Sequence, residues 1–235
     1  MYKRQGVEPV VGEWQTYTFS LLQLASAGLD ISKIDLIMAF PAWQTGEGAV
    51  YRIDNVVVGP DDIEIVSEPL VLFDDTVHPN WRLWDCCGGT SPIEVFESDE
   101  RGSVAEYEIL DNNGTVLGFL GRDSGGAYNG LGFLENGVLQ FDMKVVSPPT
   151  QDTLWLLKVE GGSGDLFAEL ELTSSLEQLA PATGEWQTYT FPLSTLASLG
   201  LDLTRIDIVM VFPAWQTGEG AVYRIDNVNI YNPTN

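Results

Sequence analysis

Aromatic side chains carry most of the chemistry this chain offers. Seven Trp and eight Tyr stand among its 235 residues, several in polar, glycine-rich stretches. "NWRLWDCCGGT" (Asn80–Thr90) sets Trp81 and Trp84 three apart, with Arg82 between them and Asn, Asp and Gly around them. "PAWQTGEG" sets Trp215 beside Gln216 and near Glu219. An indole has a broad apolar face and one polar N–H, so in such a loop it can stack on a pyranose ring while its neighbours bind hydroxyls. Covering roughly 100 Å² of ring face at about 25 cal/mol per Å² contributes roughly 2.5 kcal/mol. A pair of such platforms with a few hydrogen bonds reaches roughly millimolar to micromolar affinity. The competing reading makes each Trp a core plug. That reading is favoured for Trp155 and Trp186, which sit inside strand patterns; sugar contact is favoured for Trp81, Trp84 and Trp215.

Other chemistries have thinner support. His78 is the single histidine, no Gly-x-Ser-x-Gly elbow exists, and "DDTVHPNW" reads as a surface turn. Zinc sites need several His or Cys. No glycine-rich phosphate loop precedes a helix. The 34 Asp and Glu leave a carboxylate pair for glycoside hydrolysis open by count. No acid-rich motif of a familiar sandwich-fold glycosidase or lyase accompanies them, so catalysis is the weaker reading. Cys86 and Cys87 are adjacent: in an oxidising compartment they close a vicinal disulfide that stiffens "DCCGG", and otherwise they are two reduced thiols in a loop. "LFDDT" and "YRIDNV" place Asp74, Asp75 and Asp226 near the ends of the first and last strands. If those strands are neighbours, the three can share a structural Ca²⁺ with backbone carbonyls; the alternative is an Asp-Asn pair that merely ends a strand.

The elements that must position these residues read as strands. "VLQFDMKVV" alternates Leu139, Phe141, Met143 and Val145 on one face with Gln140, Asp142 and Lys144 on the other. "VAEYEIL", the turn "DNNG" and "TVLGFLG" follow one another; "TLWLLKVE", "GGSG" and "LFAELEL" do the same. "EWQTYTFPL", "RIDIVMVF" and "AVYRIDNVNIY" complete the set. Only "STLASLG" (Ser194–Gly200) looks helical. Eight or more short strands in about 160 residues predict an all-β, two-sheet sandwich, a jelly roll, with one face of each sheet in the core and the other outward.

The chain also repeats itself. "FPAWQTGEGAVYRIDNV" occurs unchanged at Phe40–Val56 and at Phe212–Val228, and 35 of 47 positions agree between Gly12–Val58 and Gly184–Ile230 at a constant offset of 172. That period is too long for a solenoid or propeller blade and suits tandem domains. Residues 70–183 have no earlier counterpart, so residues 1–58 read as the C-terminal fragment of a preceding module, 59–68 as a linker and 69–235 as a complete module. Such a fragment cannot bury both faces of its own strands. It is expected to be loosely held, to pair with a module edge, or to exchange with Gly184–Ile230.

Composition narrows the partners. Eleven Lys and Arg against 34 Asp and Glu give a net charge of -23, a field that repels nucleic acid, anionic lipid and sulfated or uronate polymers. No apolar run approaches the roughly 20 residues of a membrane span, and the opening "MYKRQGVEPVVGEWQ" has no apolar core of signal-peptide type.

The closing pattern "GEWQTYTFPL", "IDIVMVFPAW", "GAVYRIDNVNI" resembles the C-terminal strands of jelly-roll carbohydrate-binding modules, the non-catalytic domains attached, often in tandem, to secreted polysaccharide-degrading enzymes. The "FDD…WRLWDCCGG" opening is similar to modules of marine bacterial glycoside hydrolases, including β-1,3-glucan and agar degraders. The resemblance covers Leu70–Tyr231, and residues 1–58 as the matching tail. It implies a secreted or extracellular, non-catalytic module tethered to a hydrolase and bound to a polysaccharide, and the negative field favours a neutral one, such as a β-1,3-glucan or agarose, over alginate or carrageenan. It further implies a calcium role for Asp226 and a ligand-facing place for Trp215. Related modules often open with a Glu where this chain has Asp74–Asp75. A sandwich-fold hydrolase or lyase, and a cell-surface protein-binding or adhesive domain, are the alternatives.

Overall fold

The computed structural model describes residues 9–42, 44–56, 58, 67–86, 92–98, 100–112, 117–121, 126–162 and 166–233. Two antiparallel sheets pack face to face as a sandwich. The strands are β1 (Leu70–Asp74), β2 (Thr76–Val77), β3 (Arg82–Asp85), β4 (Ile93–Ser98), β5 (Gly102–Glu108), β6 (Leu117–Leu120), β7 (Val138–Ser147), β8 (Trp155–Gly161), β9 (Leu166–Glu171), β10 (Trp186–Pro192), β11 (Ile206–Pro213) and β12 (Val222–Tyr231). One sheet has seven strands, in the order β10-β7-β12 and then β1-β2, with β5 and β4 continuing from the first half of β12. The other runs β3-β6-β11-β8-β9.

The duplicated segment thus supplies the central strand of each sheet, β11 and β12, together with the edge strand β10. The first and last strands are neighbours, with Leu70 opposite Ile230. The predicted alternation of β7 holds: Leu139, Phe141, Met143 and Val145 are buried, while Gln140, Asp142 and Lys144 point away from the core. Two tyrosines tie the layers together. Tyr107 and Tyr223 stack at 5.2 Å and donate their hydroxyls to the carbonyls of Gly118 (3.0 Å) and Val211 (2.6 Å) on the opposite sheet. Full burial pushes both phenols well above their ordinary pKa, so they stay donors. Trp155 is a core plug as expected, edge-on to Tyr223 at 5.0 Å.

Three local expectations are corrected. β5 and β6, the segments on either side of "DNNG", lie in different sheets rather than side by side. The helix, α2 (Leu193–Ser198), begins one residue earlier than the Ser194 expected, after Pro192 and with no side-chain cap. The outer face of the five-stranded sheet is not polar. Leu120, Leu156, Ile208, Met210 and Phe212 form a second buried apolar cluster there, separate from the main core.

Residues 9–58 contain a short helix, α1 (Leu21–Ser26), and a 3₁₀ turn (Ile31–Lys33), with no strand among the described residues. Leu22 of α1 reaches the edge of the main core. Most apolar side chains of this region are exposed.

Candidate functional site

The two outer faces of the sandwich differ in how far they satisfy themselves. On the seven-stranded sheet, paired positions form the row Ile93, Glu106, Arg224, Lys144, Trp186. Arg224 donates to Glu106 Oε2 (2.7 Å) and pairs with Glu97, while Lys144 Nζ lies 2.5 Å from Glu97 Oε1. Burial alone would raise the Glu97 carboxyl, but hydrogen bonds and charge from Lys144 and Arg224 outweigh it and hold the pKa below the ordinary 4.5. Arg101 caps this face. Its guanidinium sits 4.0 Å over the Trp186 ring and donates to Asp142 (3.0 Å) and Asp226 (2.8 Å). Trp186 is therefore no core plug; it is a half-buried platform already occupied by an arginine of its own chain. Charges and rings on this face are matched internally.

The five-stranded sheet presents an apolar floor with aromatic and paired charged side chains along it. One row crosses all five strands: Trp84, Gly118, Met210, Lys158, Glu169. A second runs Arg82, Leu120, Ile208, Glu160, Phe167. Four strand spacings separate the ends, about 19 Å. Trp84 is half-buried and packs against the apolar cluster at the β3 end. At the β9 end Trp215 is 47% exposed, edge-on to Phe212 at 5.2 Å, and its Nε1–H donates to Glu169 Oε2 (3.2 Å). Lys158 pairs with Glu160 (3.0 Å) and lies 4.5 Å over Phe167 and 5.4 Å from the Trp215 ring. The part-exposed indole lies beside the Glu169 carboxylate and the Lys158 ammonium. That is the composition for stacking on a sugar ring while hydrogen-bonding its hydroxyls.

The loop carrying Trp215 is held on several sides. Ala214 N–H donates to Leu154 O, Thr217 N–H to Ala214 O, Thr150 N–H to Glu219 O and Gly220 N–H to Ile109 O. Gln216 adopts φ 61°, and a Cβ on Gly218 would lie 2.5 Å from Pro213, so the turn needs its glycine.

The sequence-predicted residues divide. Arg82 and Trp84 lie on the outer face of the five-stranded sheet at its β3 edge, and Trp215 lies at the opposite, β9 edge. Gln216 is exposed on the same turn as Trp215. Trp81 does not join them: it is 4% exposed and belongs to the main core, where a Cβ on Gly121 would lie 2.8 Å from its ring. Glu219 is corrected to an anchor of the loop. Its N–H donates to Asn112 Oδ1 (2.9 Å) and its carboxylate accepts from Asn112 Nδ2 (3.2 Å). Lys158, Phe167, Glu169 and Met210 escaped the sequence reading.

Asp74, Asp75 and Asp226 do line one cleft, with Glu100, Arg101 and Asn227. They do not fit a calcium ion. Asp226 accepts from Arg101 through one oxygen and from Asn227 N–H (2.8 Å) through the other, and Asp75 Oδ1 accepts from Ser103 N–H (2.8 Å). Burial raises the Asp226 carboxyl above its ordinary value, and the Arg101 hydrogen bond lowers it only part of the way back. A guanidinium holds the place expected for the cation, and among the described residues no group of three or more His, Cys, Asp or Glu could hold a metal ion. Cys86 is disulfide-bonded; Cys87, the chain's one other cysteine, lies outside the described residues.

No protein-family profile and no curated protein matches the chain. Among solved structures, a family 30 carbohydrate-binding module superposes with a TM-score of 0.51 and 13% identity, over 70% of this chain and 99% of that one. The family 30 module of the cellulosomal cellulase Cel9D-Cel44B of Clostridium thermocellum gives 0.49 and 13%, over 73% and 97%. The family 11 module of the cellulase Lic26A-Cel5E of the same organism gives 0.47 and 16%, over 71% and 96%. At these identities the likeness is one of fold: this chain shares its β-sandwich with a carbohydrate-binding module.

Proposed function

We propose that the outer face of the five-stranded sheet binds a polysaccharide without cleaving it. The observation that carries this reading is the row Trp84, Gly118, Met210, Lys158, Glu169 over a buried apolar floor, with Trp215 exposed beside it. The shared sandwich of a family 30 carbohydrate-binding module supports it. The net charge of -23 favours a neutral glycan, such as a β-1,3-glucan or agarose, over alginate or carrageenan. In a longer, secreted parent the module would hold an attached glycoside hydrolase at its polymer and raise the local substrate concentration.

Affinity electrophoresis on gels containing laminarin, agarose, xylan or alginate tests this. The chain is expected to be retarded by a neutral glycan and not by alginate. Trp215→Ala is expected to weaken retardation at least about tenfold, the loss of much of one ring-stacking contact. Normal migration on every glycan, or release of reducing ends from any of them, would refute the reading.

A further inference from the structure

The exposed N-terminal copy is built in the shape of the module's own closing strands. Helix α1 and the 3₁₀ turn Ile31–Lys33 match α2 and the turn Leu203–Arg205 at the offset of 172. The positive φ angles recur in register: Gln44 (63°) with Gln216 (61°), Asn55 (53°) with Asn227 (52°), and Gly12, Gly28, Gly46 and Gly48 with Gly184, Gly200, Gly218 and Gly220. Hydrogen bonds recur as well. Ser32 N–H donates to Asp30 as Thr204 N–H does to Asp202, each at 3.0 Å, and Tyr51 OH donates to Ala39 O (3.0 Å) as Tyr223 OH does to Val211 O (2.6 Å). That last bond joins the two sheets in the module.

Among the described residues, no front strands cover the first copy. Ile37 is 60% exposed where Val209 is fully buried, and Tyr51 is 55% exposed where Tyr223 is fully buried. An open cleft lined by Ile31, Ile34, Leu36, Ile37 and Val58 corresponds to Leu203, Ile206, Ile208, Val209 and Ile230, all buried in the sandwich. Of 23 buried positions in Gly184–Ile230, 18 are identical in the first copy. The other five exchange one apolar residue for another: Leu203 for Ile31, Ile208 for Leu36, Val209 for Ile37, Val211 for Ala39 and Ile230 for Val58.

The connection also allows closure. Ile230 lies opposite Leu70, so Val58, its counterpart, would end beside Leu70. The eleven residues 59–69 join Val58 to Leu70 and reach up to about 36 Å when extended, against the roughly 5 Å between paired strands. We propose that residues 12–58 are a second set of closing strands for the front Leu70–Thr183, able to replace Gly184–Ile230 within the same chain as a circularly permuted sandwich. In N-to-C synthesis the front meets the first copy before the second exists. The second then prevails because its fuller Val211 and Ile230, against Ala39 and Val58, outweigh the one larger side chain of the first, Ile37 against Val209.

Hydrogen exchange on full-length variants tests this, read in peptides of 12–39 and 184–211 that contain positions differing between the copies, because 12–19 and 184–191, like 40–56 and 212–228, are identical. Val209→Asp places a carboxylate in the core of the second copy alone. The proposal predicts a folded monomer whose protection leaves 184–211 and appears in 12–39. Ile37→Asp should leave protection in 184–211, and the double variant should lose protection throughout the front. The proposal fails if Val209→Asp unfolds as fully as the double variant, if protection stays in 184–211, or if the variant folds only as a dimer.

Discussion

Trp81 and Trp84 share a short polar stretch, yet one is core and the other faces outward. In extended chain, residues three apart point to opposite sides, so a pair at that spacing cannot form one platform. Trp81 takes the inner side, filling the space beside Gly121, and Trp84 the outer. The two sites therefore respond differently to truncation. Trp81→Ala should lower stability by about 3–5 kcal/mol, the range for deleting a large buried ring. Trp215→Ala should change stability by under about 1 kcal/mol, because its indole is half exposed and its loop is held by backbone hydrogen bonds. Urea denaturation of the two variants checks this. Equal losses would mean that Trp215 is a structural plug as well.

At the scale of the element, the outer face of the seven-stranded sheet is closed by charge and that of the five-stranded sheet by apolar packing. Glu97 is the hinge of the first arrangement, receiving both Lys144 and Arg224 from β7 and β12. Its pKa is held below 4.5, so its stabilisation is present above that pH and is lost as pH falls through the lowered folded value. Glu97→Gln should cost about 2 kcal/mol at pH 7, and the gap from wild type should narrow as pH falls below the ordinary carboxyl value. Urea midpoints between pH 3 and 7 would show this, and a gap independent of pH would contradict it. The all-β class and the register of β7 were legible from period-two alternation. The apolar outer floor was not expected, since the pattern reads one face of each sheet as outward, although "IDIVMVF" lacks the alternation that such a strand would show. Lys158, Phe167 and Glu169 were not legible, because their shared face depends on β8 pairing with β9 and β11, a long-range register that local pattern does not carry. The Arg101 guanidinium between Asp142 and Asp226 was hidden for the same reason, and with it the substitute for the expected cation.

Across the whole molecule, one duplicated segment accounts for both the fold and its surplus. Its second copy provides the central strand of each sheet and the loop that carries Trp215. Its first copy keeps the same turns but, among the described residues, touches the core only through α1, which explains why one sequence is buried at one place and largely exposed at another. The binding reading rests on the asymmetry of the two outer faces, and footprinting addresses that asymmetry directly. Hydroxyl-radical oxidation of the chain should be compared with and without whichever neutral glycan retards it. The account predicts that glycan protects Trp84, Phe167 and Trp215 while leaving Trp186 and Trp14 unchanged. Protection centred on Trp186, or oxidation of Trp215 undiminished by saturating glycan, would contradict it.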